Sequence, residues 1–202
     1  CTIKPNGRKK VRWCLNGARD LEKDVCVASS PALSRESLRL VVWFICIMQW
    51  PLKSGDVPTA FLRQDPTLWS RIVYCWSPPE MMPKRLWRLK KAVYGLADSP
   101  LQWYKTLRQF LQRRGLVAAS WDQSVFLLVG GDKGGRRTIR GIVGIATDDT
   151  VWGGDETLVA VMEEFRLEYE MPVWEDSRSG AVRFWGHDIM LQKVPSADGT
   201  TM

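Results

Sequence analysis

Asp148 and Asp149 stand side by side in the run Ile139-Arg140-Gly141-Ile142-Val143-Gly144-Ile145-Ala146-Thr147-Asp148-Asp149-Thr150-Val151-Trp152. The other residues of that run read as a strand, a tight turn and a second strand. Two like charges held at one turn repel, and a divalent cation neutralises them best. A further carboxylate, Asp56, closes a short strand in Ser54-Gly55-Asp56-Val57-Pro58-Thr59-Ala60-Phe61, at a strand-to-helix transition. Carboxylates from two strand ends make the oxygen-rich setting that hard cations such as Mg²⁺ prefer. That setting suits phosphoryl transfer with two metals. One isolated Asp is more simply a solvated turn residue or an N-cap.

The elements that must position these acids follow from periodicity and punctuation. Lys9 to Leu15 reads as a basic strand entered through Pro5-Asn6-Gly7. Ser34 is an N-cap for a helix to about Met48, with Leu38, Val41, Val42, Ile45 and Met48 on its core face. Strands are expected over 52–57 and 72–76. Ser99-Pro100 starts a helix, as an N-cap followed by Pro at the first helical position, and Gly115 ends it. A strand covers 124–129, and the acidic hairpin follows a turn at Gly130-Gly131-Asp132-Lys133-Gly134-Gly135. That turn lacks the Gly-Lys-Ser/Thr ending of a phosphate loop. Gly154 or Asp155 opens a helix with Leu158, Val161, Met162 and Phe165 on one face, and 181–191 reads as the last strand. From Leu52 the order is strand, helix, two strands, helix, strand. This is an α+β, ferredoxin-like unit with an antiparallel sheet and two helices on one face.

Bulk properties agree with one sizeable domain. Its 202 residues, 45% hydrophobic and 25% charged, exclude a disordered chain. Lys plus Arg number 29 against 22 acidic residues, and the net charge of +7 points to a polyanion, nucleic acid first. The cations cluster at 8–12, at 84–91 (Lys84, Arg85, Arg88, Lys90, Lys91) and at 136–140. Eleven Trp leave some free to stack on bases. Five scattered Cys without C-x-x-C spacing indicate neither zinc nor a disulfide framework, so a reducing compartment is expected. The single His, His187, gives little support to a His-metal site or a Ser-His-Asp triad. No secretory signal is visible, and the apolar run 38–48 is too short to span a bilayer. The start at Cys1 suggests a piece of a longer polypeptide.

In order along nearly the whole chain, these blocks resemble the reverse transcriptase of Ty1/copia-type retrotransposons. Lys10-Val11-Arg12 with Gly17 is similar to the basic fingers strand, and Asp56-Val57-Pro58-Thr59-Ala60-Phe61-Leu62 to the first catalytic motif. Val73-Tyr74 with Pro78-Pro79-Glu80, and Leu89-Lys90-Lys91-Ala92-Val93-Tyr94-Gly95-Leu96 with Ser99-Pro100 and Trp103-Tyr104, are the most diagnostic. Asp122 and Phe126 fit the following strand. Ala146-Thr147-Asp148-Asp149 occupies the place of Tyr-Val-Asp-Asp, and Phe184-Trp185-Gly186-His187-Asp188-Ile189 resembles a strand near the primer.

The resemblance implies an RNA-directed DNA polymerase domain over 1–202. Its fingers lie mainly at 1–50 and 64–98, its palm mainly at 51–63 and 99–194, and 195–202 is a frayed tail. Thumb and RNase H lie outside this sequence. The catalytic residues would be Asp56, Asp148 and Asp149, holding two Mg²⁺ (Mn²⁺ as a substitute) with the Val57 carbonyl as an extra ligand. Lys10 and Arg12 would meet the triphosphate, Phe61 the sugar, and Tyr94-Gly95 the nucleotide pocket or template. Gly95 would allow close backbone approach there. Ala146, Thr147, Trp185 and Gly186 would bear on the primer. Implied partners are an RNA or DNA template with primer, deoxynucleoside triphosphates, and the rest of a Pol polyprotein (integrase, RNase H), with no membrane. The implied location is the cytoplasm, in virus-like particles, and the nucleus.

Departures from the pattern carry expectations too. Ala146 replaces an aromatic ring, which should loosen contact with the primer end. Ala97-Asp98 replaces Lys-Gln, putting an anion near nucleic acid, and Ser54-Gly55 is less strand-like than the motif. The alternatives are a decayed copy that only binds nucleic acid and another palm-type enzyme such as a nucleotidyl cyclase.

Overall fold

The computed structural model describes Thr2, Ile3, Gly7, Lys9, Lys10 and residues 13–131 and 134–192. Arg12, the Pro5-Asn6 corner, Asp132-Lys133 and the tail 195–202 lie outside the described residues. The chain forms two compact units, one of residues 1–30 and 59–106, the other of 31–58 and 107–202. In chain order the strands are β1 (Thr2–Ile3), β2 (Lys9–Lys10), β3 (Lys53–Asp56), β4 (Tyr74–Trp76), β5 (Leu86–Arg88), β6 (Leu116–Ala118), β7 (Val125–Gly131), β8 (Arg137–Ala146), β9 (Asp149–Gly154), β10 (Glu175–Asp176), β11 (Val182–Phe184) and β12 (His187–Ile189). The helices are α1 (Arg35–Ile47), α2 (Ser99–Arg113) and α3 (Glu156–Glu168). The boundary between units falls inside α2.

The second unit is built on one antiparallel sheet in the order β10-β3-β9-β8-β7-β6. Within it, β3-α2-β8-β9-α3-β10 gives the spatial order fourth, first, third, second. That is the ferredoxin-like arrangement, extended beyond β8 by β7 and β6. The fourth strand is Glu175–Asp176 and not 181–191 as expected. The expected last strand is broken into the hairpin β11–β12, because Trp185 (φ 50°) and Gly186 (φ 75°) both adopt left-handed backbone and reverse the chain.

The two helices of the ferredoxin-like unit, α2 and α3, share one face of this sheet as expected, and α1 covers the other. Gly141 and Gly154 are cross-strand partners, and both lie under Leu158 of α3. Gly153, one residue away and therefore on the opposite face, lies under Ile45 of α1. Phe110 of α2 meets Phe165 of α3 and its C-cap residue Tyr169 edge-on, so those two helices share a face. The 35–47 helix thus belongs to the second unit, not with the basic N-terminal strand. Ser34 caps it as expected, accepting from the Ser37 N–H. Its inner residues Val41 and Ile45 join Leu33, Leu52, Ile142, Val151 and Phe184 in one apolar cluster. Each such side chain stabilises the unit by about 1.5–3 kcal/mol.

The first unit holds the ribbons β1–β2 and β4–β5 and a small core of Trp69, Ala92, Val93 and Leu96. Arg71 organises it, donating to Asp98 at 2.9 Å, Asp20 at 2.6 Å and Glu22 at 2.8 Å. Asp98 is only 2% exposed and also accepts from the Trp69 indole at 2.9 Å. Asp98 is therefore a buried partner of a cation, not an anion displayed towards nucleic acid. Ser99 does not cap α2 as expected; its hydroxyl donates to the Val93 carbonyl at 2.6 Å. Among the described residues no helix is long and apolar enough to cross a membrane. Cys14, Cys26, Cys46 and Cys75 are free thiols.

Candidate active site

β8 and β9 are joined by two residues, Thr147 and Asp148, with Ala146 paired to Asp149 across the closing rung. Thr147 sits at φ 58°. Two-residue hairpin loops demand such angles, and they normally recruit Gly, Asn or Asp. A β-branched residue there is strained by about 1–3 kcal/mol. The Asp148 carbonyl accepts from the Val57 N–H at 3.0 Å, which ties the turn to the end of β3. Val57 itself is buried.

The register of β3 against β9 sets Asp56 directly opposite Asp149. Two features make this possible in a strand that looked too irregular. Gly55 has no side chain because Trp174 and Met171 occupy its place, with ring atoms 2.8 Å from where a Cβ would stand. Ser54 is buried, and its hydroxyl donates to the Arg183 carbonyl at 2.7 Å. Ser54-Gly55 is thus what the sheet requires at that point, and its weak strand propensity is overridden by packing.

Burial first, then the charge of Asp148, pushes the Asp149 carboxyl above the usual carboxylate range. Glu175 pushes in the same direction, and a hydrogen bond from the Trp185 N–H opposes them. A half-buried carboxylate crowded by like charges gains from a cation, and its oxygens are the donors that Mg²⁺ takes. Among the described residues no three His, Cys, Asp or Glu side chains are drawn together tightly enough to hold a metal ion. The backbone gathers three acids at one sheet end, so their donors fit a hard cation in kind, with the side chains not closed around one.

The remaining expected residues fall in different places. Trp185 is 46% exposed and Gly186 has open space beside it, at the tip of β11–β12. That hairpin reaches the acids through the Trp185 N–H. Ala146 is 5% exposed and belongs to the apolar cluster, so its methyl faces the interior. In the first unit, the Phe61 and Tyr94 rings meet with centroids 4.9 Å apart. Gly95 (φ 99°) has an internal reason to be glycine, since a Cβ would stand 2.0 Å from the Leu15 carbonyl oxygen. Lys10 lies in β2, paired with Thr2, and Arg12 is outside the described residues. Sequence reasoning missed Glu175, because a two-residue strand has no periodicity to detect. It also missed the Trp185 N–H, because backbone donors leave no residue signature.

The family model described as reverse transcriptase (RNA-dependent DNA polymerase) matches residues 3–189. The chain is 34% identical over 140 residues to the retrovirus-related Pol polyprotein from transposon RE2 of Arabidopsis thaliana, covering 67% of this chain and 9% of that protein. It is 31% identical over 140 residues to the corresponding polyprotein from transposon RE1 of the same plant, with the same coverage. The matched region thus spans about a tenth of the length of these curated relatives. No solved structure matches. With nearly its whole length inside the family model, and the acids set at the end of a ferredoxin-like sheet, the chain belongs to the reverse transcriptase (RNA-dependent DNA polymerase) family.

Proposed function

We propose that this chain is the fingers-and-palm portion of a copia-type retrotransposon RNA-directed DNA polymerase, extending a primer with deoxynucleotides. The second unit is the palm and the first unit the fingers. The observation that carries the reading is the rung that sets Asp56 opposite Asp149, with Asp148 in the adjoining turn. Asp56, Asp148, Asp149 and the Val57 carbonyl would hold two Mg²⁺. Bound there, the metals would lower the pKa of the primer 3′-hydroxyl and stabilise charge on the transferred phosphoryl group. The strained Thr147 turn and the Val57 N–H keep the acidic pair at the end of β3. The Trp185-Gly186 tip bears on the primer, and the Phe61 ring stands under the incoming sugar, where it excludes a 2′-hydroxyl. Lys10 and Arg12 meet the triphosphate.

Primer extension on an RNA template by the polymerase carrying this chain tests the reading, with Asp148→Asn beside it. Extension by the wild type and its loss in the variant are expected. Activity unchanged by the substitution would end the proposed metal role. A second reading, a copy that binds nucleic acid without catalysis, draws on Ala146, whose methyl is buried where the family carries an aromatic ring. Binding of template–primer without extension, with extension restored by Ala146→Tyr, would favour it.

A further inference from the structure

Phe61 lies in a single 3-10 turn, Ala60–Leu62, entered through Thr59 at φ 54°. One turn of helix has no cooperativity to hold it in place. Its last carbonyls also lack partners within the turn. Lys91 supplies a partner to the last of them from outside and ties it to the segment that follows. Its ammonium donates to the Leu62 carbonyl at 2.8 Å and to the Gln64 carbonyl at 3.3 Å, and the side chain is half-buried. A cation bonded to the open end of a helical turn suits the turn's dipole.

The same loop also grips the ring. Tyr94, three residues beyond Lys91, packs on Phe61 with the planes inclined at 45°. The loop is itself fixed, because the Tyr94 carbonyl accepts from the Leu15 N–H at 2.8 Å and the Val93 carbonyl from the Ser99 hydroxyl. From the other side, the Gln64 amide donates to the Ser99 carbonyl at 2.9 Å. Lys91 sits in a basic cluster that reads as a phosphate-binding patch. A lysine bonded to two backbone carbonyls is committed to the protein, unlike its exposed neighbour Lys90.

We propose that Lys91 is the positioning residue that holds Phe61 rigid, and that it thereby sets the preference for deoxyribonucleotides over ribonucleotides. This rests on the reading of Phe61 as the residue under the sugar. A ring excludes a 2′-hydroxyl only if it cannot retreat, and the Lys91 clamp removes the freedom of the turn that carries it.

The test uses the polymerase carrying this chain. The deoxyribonucleotide-to-ribonucleotide preference is read twice. One reading is the kcat/KM ratio opposite one template base. The other is the binding of the two triphosphates to a complex whose primer ends in a dideoxynucleotide. Lys91→Met is expected to lower the preference about tenfold, in the range a single steric contact commands. The change should appear mainly as a lower KM for the ribonucleotide. Lys91→Arg, which keeps a cationic donor, should restore much of the preference. Added to Phe61→Ala, Lys91→Met should change nothing further, because it acts through the ring. A preference within about twofold of wild type in Lys91→Met, while Phe61→Ala lowers it, overturns the clamp and leaves the Phe61 reading standing. A preference unmoved in Phe61→Ala overturns that reading and the clamp with it. Should Lys91→Met fail to accumulate folded, Lys91→Gln, which removes the charge and shortens the reach to the two carbonyls, is judged by the same two outcomes.

Discussion

Asp149 faces Asp56 across a single rung of the β3–β9 ladder, a like-charge pairing that an antiparallel sheet normally avoids. Asp148 adds a second negative charge beside it. Burial and the charge of Asp148 disfavour the Asp149 carboxylate without metal, so Asp149→Asn should be the more stable protein. The side-chain oxygen of Asn still accepts from the Trp185 N–H, and the charge is gone. A gain of about 0.2–1 kcal/mol is expected. In thermal melts with chelator the variant should melt above wild type. Adding Mg²⁺ should raise the wild-type transition and leave that of the variant nearly unmoved, because ligand binding stabilises only the form that binds it. A wild-type transition indifferent to Mg²⁺ would count against a metal at these acids.

Asp122 supplies a pH-dependent part of the second unit's stability. Burial alone would raise its carboxyl. Hydrogen bonds from the Ser37 hydroxyl and from the Ser124 and Ser34 N–H groups outweigh burial and hold it below the ordinary value. The folded protein therefore holds this proton less tightly than the unfolded chain. The contribution is full above the unfolded value of about 3.9 and is lost as pH falls through the lower folded value. Asp122→Ala should cost about 1–2 kcal/mol at pH 6, and the gap to wild type should shrink by pH 3. Urea unfolding at the two pH values measures it. A gap equally large at both would mean that Asp122 acts through packing instead of charge.

What could be read from the chain was local or closely paired. Ser34 and Asp155 cap their helices as expected, because a cap is written within four residues. The acidic hairpin was legible because a two-residue loop between apolar runs has few other meanings. The 35–47 helix shows an apolar stripe in sequence, but a stripe does not say which sheet it covers. Only the glycine opposite Ile45 decides that. The 181–191 segment alternates like one strand, and its reversal depends on a Trp in left-handed backbone, which propensity argues against. In sequence Asp98 reads as an anion set near nucleic acid, because its partner, Arg71, lies 27 residues upstream. At the candidate site the three acids were legible by type, while Glu175 and the Trp185 N–H came only with the fold.

The Arg71 network makes a sharp demand on the first unit. Arg71 has little exposure, and Asp98 is almost wholly enclosed. Removing one partner of such a pair leaves an uncompensated buried charge, which costs about 3–5 kcal/mol. Arg71→Met should approach that loss. Asp98→Asn, which keeps an acceptor for the Trp69 indole, should cost less. Asp98→Gln, which restores the residue usual in the family, should destabilise this chain unless Arg71 changes with it. Denaturation midpoints of the three variants and of the Arg71→Met, Asp98→Gln pair give the coupling. Additive losses would show that the two residues do not act as a unit.

Trp185 serves two roles that a single substitution can separate. As the first residue of a two-residue turn at φ 50°, it occupies backbone that L residues other than Asn and Asp resist, at a cost of about 1–2 kcal/mol. Asn followed by Gly is the pairing such turns favour. Trp185→Asn should therefore keep or raise the melting temperature, and it retains the backbone N–H that reaches Asp149. What it loses is a half-exposed ring at the tip proposed to meet the primer. Template–primer affinity should fall by about 1 kcal/mol or more, the worth of a stacked base. Fluorescence anisotropy of a labelled duplex measures that loss. A variant with unchanged affinity would reduce Trp185 to a turn residue and remove its ring from the proposed contact with the primer.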